Sequence, residues 1–166
     1  MTGVPTQTKP APVFGDLARV PWSEIEDATG SAAAIPFLLA AIASGDPAAA
    51  DTALDRLRHR ICQYGFVVGQ ATAVTVPFLW DLAQRPQVTC RARILRLLRN
   101  IADARQWETT AAAYPKLRRH HNDYVEWESA ARRAVRDQSG AIPRLLAERN
   151  TELVQATREL ASALAR

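Results

Sequence analysis

Three histidines and two cysteines are the side chains of this 166-residue chain best suited to metal or nucleophilic chemistry. In the run His120-His121-Asn122-Asp123-Tyr124-Val125-Glu126, His120 and Asp123 share a face if one helix runs through both. That is half a metal site. A third or fourth ligand must converge on the ion, and the remaining candidates, His59, Cys62 and Cys90, stand far off in the sequence. Asp123 with Glu126 has a simpler use as a helix capping box. His59 and Cys62, three residues apart, lie close on a helix as a Cys–His nucleophile requires. No third group orients that imidazole, and the GxSxG, HExxH, P-loop and GxGxxG patterns do not occur. The expectation is a protein with no catalytic residues, no metal and no cofactor, whose cysteines are buried, reduced and inert.

Arginine is the other chemically active residue. Lys9 and Lys116 are the only lysines, a bias that GC-rich coding explains as well as any demand for guanidinium groups. The net charge of +4 is unevenly spread. Residues 1–50 carry two basic and five acidic side chains, residues 102–166 eleven and nine, and residues 51–101 eight and three. At a spacing of 40, Arg56 matches Arg96 and His59 matches Arg99. On neighbouring helices these four make a cationic strip suited to an acidic protein surface or to phosphates. The plainer reading is a solvated polar face partly neutralised by Asp51, Asp55 and Asp81. Nucleic acid needs clustered cations with few competing carboxylates, a condition the middle third meets only in part.

The elements that position these residues repeat. SAAAIPFLLAAI (31–42) matches TAVTVPFLWDLA (72–83), and LDRLRHRI (54–61) matches ILRLLRNI (94–101). A period near 40 with two helices per unit is an α-solenoid signature. Proline is tolerated in the first helical turn, where its missing N–H has no partner, so Pro36 and Pro77 mark the start or a kink of each first helix. Phe37, Leu38 and Ile42 then face the core, as do Phe78, Leu79 and Leu82. Asp46-Pro47 opens the second helix, which buries Leu54, Leu57 and Ile61 and stops at Tyr64-Gly65; its counterpart buries Ile94, Leu97 and Ile101.

A divergent third unit starts at Ile142-Pro143, with Asn150 capping a last helix that buries Leu153, Ala156, Leu160 and Leu164. Glu152, Arg158, Glu159 and Ser162 make its other face polar. Between the second and third units, an insertion at about 102–127 holds a short helix before Pro115, then a turn. Tyr124, Trp127, Ala131 and Val135 form the stripe of the helix that follows, with Glu128–Arg132 as an i,i+4 pair at its edge. Trp22, Trp80 and Trp127 read as packing, while Trp107 and Tyr114 in the insertion read equally as a local plug or a binding anchor. A short helix is expected around Trp22–Ala28, after a loose arm over residues 1–13.

On Pro36-Phe37-Leu38, Asp46-Pro47, Pro77-Phe78-Leu79 and Pro143-Arg144-Leu145-Leu146, the chain resembles the HEAT-repeat proteins common in high-GC bacteria. The resemblance implies an all-α, right-handed α–α superhelix over residues 14–166, with units at about 31–64, 72–101 and 140–165. It implies a non-enzymatic binding scaffold or adaptor, or an immunity-type or regulatory partner, with the second helices lining a concave side. The alternative it raises is a basic groove for nucleic acid like that of HEAT-like DNA glycosylases. Where the family carries a ladder arginine four residues after its Asp-Pro aspartate stands Ala50, and Arg85 replaces the second aspartate, so packing between units is expected to be apolar alone. No apolar run approaches the roughly 18–20 residues of a membrane span, and the N-terminus lacks the pattern of a secretory signal, so a cytoplasmic location is expected.

Overall fold

The structure, a computed structural model, describes residues 14–118 and 122–166. The arm at residues 1–13, together with His120 and His121 of the metal reading, lies outside the described residues. Two 3₁₀ segments, Phe14–Arg19 and Trp22–Glu24, lead into a hairpin of β1 (Glu26–Asp27) and β2 (Gly30–Ser31). Helices α1 (Ile35–Ala43) and α2 (Pro47–Ile61) follow. A second hairpin, β3 (Cys62–Gln63) with β4 (Val67–Val68), leads into α3 (Gln70–Ala83) and α4 (Arg91–Asp103). The chain continues through α5 (Gln106–Ala113), α6 (Pro115–Arg118), α7 (Asn122–Asp137), α8 (Ile142–Leu146) and α9 (Thr151–Ala165). The protein is mostly helical, with two very small hairpins.

The prolines act in the two ways their chemistry allows. Ser31 Oγ accepts the Ala33 N–H at 3.3 Å, a 3₁₀ turn over Ala32–Ala34 follows, and Pro36 falls in the first turn of α1. Pro143 sits in the same setting, after a 3₁₀ turn at Ser139–Ala141, but α8 runs for only five residues. Pro77 instead lies inside α3, where it removes one N–H from the helix. That helix starts earlier, at a polar joint. The Gly69 N–H donates to Thr72 Oγ1 at 3.0 Å, and the Thr72 hydroxyl donates to the Ile61 carbonyl at 2.6 Å, tying α3 to the end of α2. Asn150 caps α9 through its Oδ1, which accepts the Leu153 N–H at 3.1 Å. Asp46 holds the N-cap position of α2 in an extended conformation without a side-chain bond.

Several sequence expectations are corrected here. Trp22–Ala28 is a 3₁₀ turn and a strand rather than a helix. Trp22 is buried there, with its indole N–H donating to the Leu17 carbonyl at 2.9 Å. Helix α2 ends at Ile61, and Tyr64-Gly65 forms the tip of the second hairpin, both residues at positive φ. Asp123 lies in the first turn of α7, not at its cap, and Glu126 is exposed. Phe37, expected in the core, is 78% exposed. Its partner in the repeat, Phe78, is 4% exposed and lies against Trp22 with ring centroids 6.1 Å apart. The same residue type at matched positions is covered in one unit and open in the other.

The second-helix positions behave as the repeat demands. Leu54, Leu57, Ile61, Ile94, Leu97 and Ile101 are buried in a single cluster with Leu153, Ala156 and Leu160 of α9. Helix α4 is the hub, packing on α3, α7 and α9. Helix α1 packs on α2 and α3, and the long α7 packs on α3. Trp80 is fully buried at that junction and donates its indole N–H to the Val135 carbonyl at 3.2 Å.

The insertion is anchored by a group that sequence spacing gave as half of an i,i+4 pair at the edge of the α7 stripe. Glu128 of α7 is 0% exposed. Its carboxylate accepts the backbone N–H groups of Trp107 and Glu108, each at 2.9 Å, so it caps the start of α5 from another helix. Arg132 neutralises it at 3.3 Å and donates to the Ala104 carbonyl at 2.8 Å. Removing a buried partner strands the other charge, so Glu128→Ala is expected to cost about 3 kcal/mol of unfolding free energy in urea titrations. Glu128→Gln, which keeps an acceptor, should cost less. A loss below about 0.5 kcal/mol, the scale of a neutral surface change, is the outcome incompatible with this anchor.

Candidate functional site

Helix α4, RARILRLLRNIAD, places four arginines on a helix that is enclosed along most of its length, and each guanidinium needs an acceptor. Arg91, 7% exposed, donates Nε–H to the Ala83 carbonyl at 2.7 Å and grips Glu148 at 2.9 and 2.6 Å. Arg93 reaches Asp51 of α2 at 3.0 Å and also bonds Asp55. Arg96 meets Glu152 of α9 at 3.2 Å, and Arg99 meets Glu159 at 3.6 Å. Helix α4 is therefore laced to α2 on one side and to α9 on the other by ion pairs. The expectation of purely apolar packing is corrected: Arg93 of α4 is ion-paired to Asp51, next to Ala50, and to Asp55 on α2. Arg85, just past the end of α3, pairs back with Asp81 of that helix at 2.7 Å.

The same accounting extends to α2. Arg58 lies 4.0 Å from Asp55, and Arg60 bonds Asp27 at 2.9 Å and Thr29 at 2.7 Å. Of the eight arginines between positions 51 and 101, Arg56 alone has no carboxylate within 4.0 Å among the described residues. Arg56 and His59 are both exposed, and they line an open groove of about 530 Å³ between α1 and α2. Phe37 and Leu38 of α1 supply its apolar lining, and Thr29, Asp55 and Arg60 line it as well.

The four members of the expected strip thus fall in two places. Arg56 and His59 meet in the groove; Arg96 and Arg99 face the carboxylates of α9. Two of the polar residues on α9, Glu152 and Glu159, are the acids that meet them. Trp107 is a packed joint: its indole N–H donates to the Val68 carbonyl at 3.1 Å, and its ring stacks on Tyr124 with centroids 4.6 Å apart. Tyr114 ends α5 and is 62% exposed. Sequence reasoning missed Phe37 as a groove residue because its helical position is that of a core residue. It also missed Arg93, whose partners Asp51 and Asp55 were visible only as general neutralising charge.

The thiols are poorly placed for chemistry. Cys62 is buried in β3, beyond the end of α2, while His59 is exposed in the groove. Burial pushes the Cys62 thiol up to about 12, and the nearby Arg58 charge offsets this only in part. Burial also raises Cys90. Among the described residues, no three His, Cys, Asp or Glu side chains gather as a metal site, and no helix is long and apolar enough to cross a membrane.

Two measurements check these environments. A thiol reagent such as DTNB at pH 8 is expected to react slowly with the folded chain and to titrate both cysteines after denaturation; rapid reaction of either in the native state contradicts the assigned burial. Hydrogen bonds from Arg91 hold the Glu148 carboxyl below its ordinary value of 4.5, with burial opposing and the Arg91 charge assisting. A lowered folded-state value means this stabilisation is complete above the ordinary value and is lost as pH falls through the folded one. Glu148→Gln should therefore be less stable than wild type at neutral pH, and the difference should shrink as pH falls well below 4.5. A difference independent of pH counts against the pair. Compared with known proteins, the chain matches no protein-family model, no curated protein and no solved structure.

Proposed function

We propose that this chain is a short HEAT-like α-solenoid acting as a non-enzymatic protein-binding scaffold, an adaptor or an immunity-type or regulatory partner, for a protein with an acidic surface. The solenoid reading is supported by a repeated order of hairpin, first helix and second helix, in Glu26–Ile61 and again in Cys62–Asp103. It is supported also by the packing of α1 on α3 and of α3 on α7, beside the ion-paired series of α2, α4 and α9.

One observation carries the functional reading. The arginines of the middle third are consumed by internal carboxylates, except Arg56, which stands with His59 in an open groove beside an exposed aromatic ring. A frame that sets an unspent cation beside an uncovered aromatic ring is suited to recognition. The nucleic-acid alternative is less well supported, because a duplex needs several unpaired cations along its path and Arg93, Arg96 and Arg99 already have partners.

The test is affinity capture on the immobilised full chain after nuclease treatment. A discrete protein bound in stoichiometric amount is the expected result. A labelled duplex that binds at about 50 mM salt and is released steeply by about 200 mM, with no protein recovered, favours the nucleic-acid alternative instead.

A further inference from the structure

We infer that the groove between α1 and α2 receives a short acidic peptide segment of a partner protein, with one large apolar side chain against Phe37 and Leu38 and a carboxylate beside it on Arg56. This rests on the scaffold reading and names the ligand class for it. The apolar half of the argument comes from the repeat. Phe78 is covered by Trp22, whereas Phe37 at the matched position is 78% exposed among the described residues. Leaving that ring in water forfeits burial that its counterpart obtains, and an apolar anchor from outside recovers it.

The charged half comes from the guanidinium inventory. Arg60 is tied by Asp27 and Thr29, and Asp55 by Arg93, so neither sets the sign of the groove. Arg56 has no acid within 4.0 Å among the described residues, and His59, one helical turn away, adds further donor capacity. An anionic ligand is the complement. The groove, at about 530 Å³, is in the size range that takes a side chain and its flanking backbone. The arm at residues 1–13 is a poor charge match, since Lys9 is its only charged side chain.

Selection of a random 12-residue display library on the full chain tests this. The expected peptides carry Asp or Glu close to Leu, Phe or Trp. A synthetic copy of the leading peptide should lose about tenfold or more in affinity with Arg56→Glu and, separately, with Phe37→Ser, and almost nothing with Arg144→Glu on α8. Selected peptides without acidic enrichment, or equal binding by wild type and Arg56→Glu, overturn the proposal. Circular dichroism of each variant confirms that it is folded before its affinity is read.

Photocrosslinking from Phe37→p-benzoylphenylalanine identifies the occupant. Capture of the selected peptide supports the assignment; capture of residues 1–13 or of a second copy overturns it. Should a captured protein partner bind the Arg56→Glu and Phe37→Ser variants as well as wild type, the scaffold reading stands and this groove assignment falls. Should no protein partner be captured while acidic peptides still select the groove, the scaffold reading falls instead.

Discussion

A guanidinium taken out of water must be given an acceptor, and helix α4 imposes that demand most strictly at Arg91, while Arg93, Arg96 and Arg99 are only half-buried. Its apolar residues Ile94, Leu95, Leu97, Leu98 and Ile101 are buried against α3, α7 and α9, which leaves Arg91 buried and Arg93, Arg96 and Arg99 half-buried at the margins of that packed face. Each is met by a group from another element: Ala83 and Glu148 for Arg91, Asp51 and Asp55 for Arg93, Glu152 for Arg96, Glu159 for Arg99. Those pairs link α2, α4 and α9 at the edges of the apolar core. The exposed pairs contribute little individually, of order 0.2–1 kcal/mol each. Their directional geometry opposes slippage between helices that apolar contacts alone would tolerate.

The buried carboxylate Glu128 does for the insertion what the arginines do for the stack. Helix α5 has only eight residues, too few to be stable by propensity, and its first turn leaves backbone donors without partners. Glu128 supplies two acceptors from α7, and Arg132 balances the charge. Trp107 then completes the joint by stacking on Tyr124 and bonding Val68. Helix α5 is thus held by polar contacts at its start, whereas Tyr114 at its end is left exposed.

Function enters where this internal neutralisation stops. The positive surplus of residues 51–101 is a property of the linear sequence, and in space it is cancelled by acids from 27, 81 and 148–159 as well as by Asp51 and Asp55. What remains is local: Arg56 and His59 facing Phe37 and Leu38. In the proposed reading, this groove selects by charge and by apolar fit together.

By itself the sequence determined the paired helices and most of the core, because buried apolar residues recur at helical spacing and the same spacing returns after about 40 residues. Leu57 and Leu97, Ile61 and Ile101 are buried as that periodicity requires. The caps were half legible: Asn150 bonds as its type and place suggest, while Asp46 only occupies its position. The hairpins at Glu26–Ser31 and Cys62–Val68 left no readable signal, since strands of two residues are too short to show alternation. Only the tertiary structure decided which arginine meets which acid, that Glu128 serves α5, and that Phe78 is covered while Phe37 is open. Those outcomes depend on groups 20 to 60 residues apart in sequence, as in Glu128 with the Glu108 N–H and Arg99 with Glu159. Periodicity reports the face a residue takes on its own helix; what that face meets is set by how the other helices pack around it.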